Sequence, residues 1–281
     1  MNILSINLIH SMQSQLKNMS RALTVLAMLT ASVSVNAHAA TLTDVNEIIK
    51  RSNLASYYAG EDGRAQARMV IVDSKGNKQM RQFTIFRKDQ GDLANQDMLV
   101  FFSRPTDVKG TVFRVTKKID ADDDRWLYLP ALDLVKRISA GDKRTSFVGA
   151  HFYYEDVSGR NPAEDNFTLV SSNDGRYQIK AIPKDKSSVE FAHYVAEIDQ
   201  QTFIPMQVTY FDNSGKAMRK MQVLKTKEVD GFTTVLHSKI TDLSDNSYTE
   251  MQFRKVKYNL GLPQSIFSER SLRTPPKKWL K

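Results

Sequence analysis

The chain contains no cysteine, so it forms no disulfide and has no thiol to carry the lipid anchor of a bacterial lipoprotein. Histidine is nearly as scarce. Beyond residue 40 there are only His151, His193 and His237, far apart in sequence and without the spacing of a zinc site. There is no Gly-x-Ser-x-Gly elbow, no glycine-rich phosphate loop and no cysteine nucleophile. The run Asp122-Asp123-Asp124 lacks the ligand spacing and glycine of a calcium loop and reads as a solvated turn. These absences exclude the common hydrolytic, nucleotide-dependent and metal-dependent constellations. The expectation is a protein that is not an enzyme and needs neither metal nor cofactor. No interdomain linker, fixed-period repeat or low-complexity tract interrupts the chain.

Long apolar runs are also missing, with one exception. Ala22 to Val35 is apolar, follows Lys17 and Arg21, and precedes the small-x-small site Ala37-His38-Ala39. It is short for a membrane span and has the order of a secretory signal. Residues 1–39 are therefore expected to be a signal peptide, with the first eighteen an extension before a second start at Met19. Cleavage is expected after Ala39 or Ala37. Residues 40–281 should form one domain, because about 240 residues bury a sizeable core. Its place would be the periplasm, in soluble form.

Of 40 Lys and Arg against 31 Asp and Glu, the leader holds Lys17 and Arg21 and no acid, leaving +7 on residues 40–281. The basic residues are dispersed through the strands rather than gathered in a block, which argues against a nucleic-acid partner and fits transient contact with anionic surfaces.

What is present is mostly strand. One helix is expected from Asp44 to Tyr58, where Leu42, Val45, Ile48, Ile49, Ala55 and Tyr58 recur at helical spacing. From Arg64 the period becomes two. A hairpin turning at Ser74-Lys75-Gly76-Asn77 is followed by strands at 98–103, 110–118, 125–130, 134–139, 166–172, 176–183, 191–199, 204–212, 217–227, 233–243 and 248–258. The class is α+β, mostly β and antiparallel. Further helices are expected only near 149–156 and 263–272.

Alternation places Phe83, Ile85, Phe113, Val115, Tyr177, Ile179, Met206, Val208, Tyr210, Leu236, Ile240, Met251 and Phe253 on one apolar face, with Met69 and Ile71 from the first strand. Trp126 and Tyr128 share one face of their strand, and Leu127 and Leu129 the other. One pair would line a cavity mouth and the other pack beneath a covering segment; Trp126 and Tyr128 are taken as lining candidates. Arg137, Glu155 and Asp156 are expected to pair and fix a loop. The terminal Lys277-Lys278-Trp279-Leu280-Lys281 reads as a frayed tail or a membrane-grazing one.

A more specific signal lies in Trp126-Leu127-Tyr128-Leu129-Pro130, Arg137-Ile138-Ser139 and Tyr154-Glu155-Asp156, flanked by Phe102-Ser103-Arg104-Pro105 and Leu262-Pro263-Gln264-Ser265-Ile266-Phe267. The series resembles the LolA-like outer-membrane lipoprotein-sorting family, in particular its larger branch associated with RND-type (MMPL) exporters. His151 departs from that pattern, which usually has an acidic residue there. The resemblance implies an unclosed antiparallel β-barrel, its concave apolar face covered by few helices and holding acyl chains of a lipid or lipoprotein in transit between membranes. An exporter of the RND type is the implied partner. Burial stabilises each methylene by about 0.8 kcal/mol, so a sixteen-carbon chain represents roughly 12 kcal/mol that such a carrier supplies. An adaptable lining containing methionine suits a load that must also leave. The other reading is a non-catalytic adaptor of an envelope complex, its apolar face filled by its own side chains.

Overall fold

The computed structural model describes residues 42–91 and 95–280. The expected signal peptide, its cleavage sites and Lys281 lie outside the described residues. Helix α1 (Val45–Tyr57) begins where Asp44 caps it, accepting from the Asn46 amide at 2.9 Å. Its buried stripe centres on Ile48, with Leu42, Val45 and Ile49 beside it.

Thirteen strands follow among the described residues, matching the segments expected from alternation. They are β1 (Asp62–Val72), β2 (Lys78–Asp89), β3 (Gln96–Arg104), β4 (Val112–Lys117), β5 (Asp124–Leu129), β6 (Leu134–Ile138), β7 (Asp165–Asn173), β8 (Arg176–Pro183), β9 (His193–Asp199), β10 (Pro205–Phe211), β11 (Ala217–Val229), β12 (Phe232–Asp242) and β13 (Tyr248–Tyr258). They form one antiparallel sheet in the order β6-β5-β4-β3-β2-β1-β13-β12-β11-β10-β9-β8-β7. Every neighbour is a sequence neighbour except β1 and β13, which pair along their length with Met69 opposite Met251. The sheet does not close, because β6 and β7 do not pair.

The connection between those two edges, residues 139–164, fills the interior instead of extending the meander. Phe147 sits within 5.5–6.3 Å of the rings of Phe83, Phe102, Phe113 and Tyr154. Such tilted and edge-on ring contacts add stabilisation beyond the area buried. The helix expected near 149–156 shrinks to one turn, α2 (Tyr154–Ser158); before it the chain is looped by a bridge between Ser146 and Tyr153. The C-terminal helix likewise divides into a 3-10 turn, Gln264–Phe267, and α3 (Arg270–Arg273).

Three apolar clusters result. The first joins the inner faces of β1–β5 to Phe147, Phe152 and Tyr154. The second lies beneath α1 and joins Tyr177, Ile179, Ala196, Ile198, Val208 and Tyr210. The third is on the outer face, where Phe86, Leu99 and Trp126 are covered by Leu262, Ile266, Phe267, Leu272 and Trp279. The tail is therefore docked, not frayed. Asp62, almost fully buried, accepts from the Leu260 and Leu262 amides at 2.6 Å and pins the start of this covering segment.

Candidate functional site

Small residues create a cavity where the inner face of β1 passes under the C-terminal end of α1. Gly63 and Ala65 on β1 face Ile85 and Arg87 on β2, while Thr234 and Ser238 occupy β12. Further along β1, Ala67 gives way to Met69 and Ile71, whose bulk closes the interior. The space left is about 290 Å³. Phe83, Ile85, Met98, Met221, Met251 and Phe253 provide the apolar wall. Tyr57 of α1 and Phe152, Asp156 and Val157 of the inner connection close it from above.

Of the expected lining, Phe83, Ile85, Met251 and Phe253 are at the cavity. Met69, Ile71, Phe113, Val115 and Ile240 are instead packed in the first cluster, and Tyr177, Ile179, Val208 and Tyr210 in the second, under α1. The alternation placed them on the inner face, but self-packing consumes that part of the face. Met206 and Leu236 are partly buried and belong neither to the cavity wall nor to a cluster. Trp126 and Tyr128 are a correction: they lie on the outer face with Trp279, and Leu127 is the residue of that strand that enters the core. Sequence reasoning missed Met98 and Met221. Their register against Val115 and Ile240 was the available signal, and it requires the strand pairing to be known.

Arg137 is a second correction. It pairs with Asp124 at 2.9 Å on the surface, while Glu155 and Asp156 are bound by other cations. Asp124 also binds Lys118 at 2.6 Å, and the nearly buried Asp123 binds Arg125 at 2.5 Å, so of the acidic run Asp122 is exposed as expected while Asp123 and Asp124 anchor strands. Glu155, 1% exposed, is shared by Arg144 at 2.6 Å, Lys143 at 3.1 Å and Arg160 at 3.2 Å. Burial alone would raise its pKa, yet those three cations hold the carboxyl below the usual range. Arg144 continues to Glu190 through two 2.6 Å bonds, and Arg160 to Asp165 through two of 2.8 Å. Asp156 pairs with Arg219, which is stacked 4.1 Å from the Tyr153 ring centre and donates to the His151 carbonyl. His151 bridges Thr249 and Ser247 at 2.8 Å each, and burial holds its imidazole below its ordinary range. These contacts fasten the inner connection to β7, β11 and the β12–β13 turn.

The C-terminal end of α1 is fastened separately. Arg87 donates to the carbonyls of Tyr57 and Ala59, and Gln96 to that of Tyr57 at 2.7 Å. Gly159, at φ +82°, lies against the Tyr57 ring, which an added Cβ would meet at 2.7 Å. Above that ring, at 4.9 Å, sits the ammonium of Lys117, itself 3% exposed. Among the described residues no cluster of His, Asp or Glu is arranged to hold a metal, and no helix is long and apolar enough to cross a membrane.

Burial pushes the Lys117 ammonium down to about 8. Its unfolded value is about 10.4, so the native state releases this proton first as pH rises. The charged form weakens the fold below pH 8, and stability recovers between about pH 8 and 10.5, by roughly 3 kcal/mol in all. Lys117→Met should remove that rise. Urea unfolding of both proteins from pH 7 to 10.5 checks it, and parallel curves would refute the assignment.

Comparison with known proteins agrees with this architecture. No curated protein matches the chain. A family model described as "uncharacterized protein" matches residues 94–274. A solved DUF1329 family protein from Desulfovibrio piger is 26% identical, covers 80% of this chain and 96% of its own, and superposes with a TM-score of 0.73. A putative outer membrane lipoprotein-sorting protein domain from Vibrio parahaemolyticus is 24% identical over 81% of this chain and 97% of its own, with a TM-score of 0.73. A LolA superfamily protein from Nitrosomonas europaea shares the fold at 15% identity and a TM-score of 0.61, covering 80% of this chain and 97% of its own. The matched stretch is more than half of the sequence and contains Trp126–Pro130, Tyr154–Asp156 and Leu262–Phe267, so the chain belongs to the family of uncharacterized proteins that this model describes, and it shares its unclosed antiparallel sheet with the solved structures above.

Proposed function

We propose that the protein is a non-catalytic periplasmic carrier that takes an acyl chain of a lipid or lipoprotein into the cavity beneath α1 and exchanges it with an RND-type exporter. The observation that carries this reading is the cavity itself: an apolar wall with methionines from three strands beneath a cover formed by the end of α1 and the inner connection. The lipoprotein-sorting description of the Vibrio parahaemolyticus relative supports the same role. At about 290 Å³ the space lies at the small end of ligand pockets, roughly 300–1,000 Å³. It suits one chain, and a larger load requires α1 to lift. The bonds from Arg87 and Gln96 to the end of α1 are those such a movement would break.

The test is a cavity-filling variant. Ala65→Leu adds three carbons into the void and should stabilise the fold by up to about 2 kcal/mol, at about 0.8 kcal/mol per methylene. It should also weaken uptake of a fatty-acid probe at least tenfold. Native mass spectrometry with lipid extraction reads co-purified cargo, and denaturant unfolding reads stability. A wild-type chain that stays empty and refuses added acyl probes would favour the adaptor reading. Uptake unchanged by Ala65→Leu would place the cargo elsewhere.

A further inference from the structure

A second cavity, of about 400 Å³, opens on the other flank of α1, and its charges are nearly all of one sign. Lys50 of α1, Lys117 and Lys118 at the end of β4, and Lys184 after β8 line it, with Asn53 beside them. Asp165 is the one carboxylate in the wall, and it is engaged by Arg160 through two 2.8 Å bonds and by the Tyr194 hydroxyl at 2.9 Å. Lys118 is matched by Asp124. The other three lysines form no ion pair among the described residues. Lys184 donates to the Ala163 carbonyl at 2.8 Å. Lys117 donates to the Ser158 carbonyl at 3.2 Å and lies over the rings of Tyr57 and Tyr58 at 4.9 and 5.8 Å.

Lys117 is therefore a buried ammonium whose contacts are neutral. The charged groups that face it at longer range are Asp123, Arg125, Glu155 and Glu164. Their acids are already occupied: Asp123 by Arg125, and Glu155 and Glu164 by Lys143 and Arg160. Burying a cation without a counter-charge is costly, and an anion entering from the open side offsets that cost through hydrogen bonds to a charged donor. Lys50, Lys184 and the Asn53 amide supply further donors around the same space.

We propose that this cleft binds a phosphate-type oxyanion, with Lys117 at its floor and Lys50 and Lys184 at its mouth. The shared chemistry belongs equally to free phosphate and to the phosphate of a lipid headgroup. The site stands on its own lining and does not depend on acyl binding in the first cavity. Because α1 separates the two cavities, an anion held here would bind the same helix that covers the first.

The experiment is calorimetric titration of the full chain, at constant ionic strength, with inorganic phosphate and with dihexanoyl phosphatidic acid below its micelle concentration. Saturable uptake of inorganic phosphate is expected. It should weaken about tenfold or more in Lys117→Met, and similarly in the double variant Lys50→Ala/Lys184→Ala, whose changes are at the mouth and leave the buried charge in place. Tighter binding of the lipid phosphate that Phe253→Asp leaves intact and the double variant weakens assigns the headgroup as the source, and equal binding assigns the free ion; either supports the site. Phe253→Asp, in the wall of the first cavity, should leave phosphate uptake unchanged, so the two sites fail or succeed separately. Absence of saturable phosphate uptake, or uptake that the double variant does not weaken, would overturn the proposal.

Discussion

Glu155→Gln should lower the unfolding free energy by about 3–5 kcal/mol, the cost of removing one partner from a buried charge network. Three cations depend on this carboxylate, and the site is shielded from water. Glutamine keeps the volume and one acceptor oxygen but removes the charge that offsets their desolvation. Lys143, Arg144 and Arg160 retain Glu164, Glu190 and Asp165, which is why the loss should be partial and the fold should persist. For a domain of this size the shift in Tm would be roughly 6–20 °C. The damage should concentrate in the inner connection. Hydrogen exchange should show amides at 143–158 losing protection before those of β1 and β13. A loss under about 1 kcal/mol would mean that the network contributes little to holding that connection.

Phe253→Asp should abolish acyl binding while the sheet remains folded. The ring is half-buried in the cavity wall, cross-strand from Ala67 on β1. In the empty protein a carboxylate there meets cavity water. With an acyl chain bound it loses that water, a penalty of several kcal/mol, so binding should weaken at least about a hundredfold. Ile85→Asp, on the neighbouring side of the same wall, should behave alike. Far-UV circular dichroism and a cooperative unfolding transition establish the fold, and fluorescent fatty-acid titration reads the affinity. Wild-type affinity in both folded variants would sink the carrier reading. By contrast, Phe113 contacts Phe147 and Tyr154 at 5.5 and 5.0 Å in the packed core, where an acid would test folding and not cargo.

The strands were legible because alternation is local: each of Phe83, Ile85, Phe113 and Val115 declares its face by its immediate neighbours. The start of α1 was legible for the same reason, since a cap at Asp44 and a stripe through Ile48 need no distant partner. Assigning the inner face to cargo or to core was not legible. Met69 and Phe253 carry the same pattern, yet one meets the ring cluster and the other meets a void, because Gly63 and Ala65 lie near only the second.

Partnerships across the sheet gap were also beyond the sequence. Tyr154-Glu155-Asp156 marks a fixed point, but Glu155 finds Arg144 and Arg160 nearby while Asp156 finds Arg219, sixty-three residues away. Arg137, closer in sequence, faces outward with Asp124. Charges pair by position in space, and that position follows from how β6 and β7 fail to meet.

By itself, then, the sequence determined the β-rich class, the number of strands, the faces and the helix that starts the described domain, all properties set within a few residues of each side chain. The open sheet was implied by the motif series, but only the tertiary structure decided that residues 139–164 fill the opening and that two cavities of different chemistry flank α1. Those features depend on which long-range surfaces bury one another, a property of the assembled sheet that no local pattern encodes.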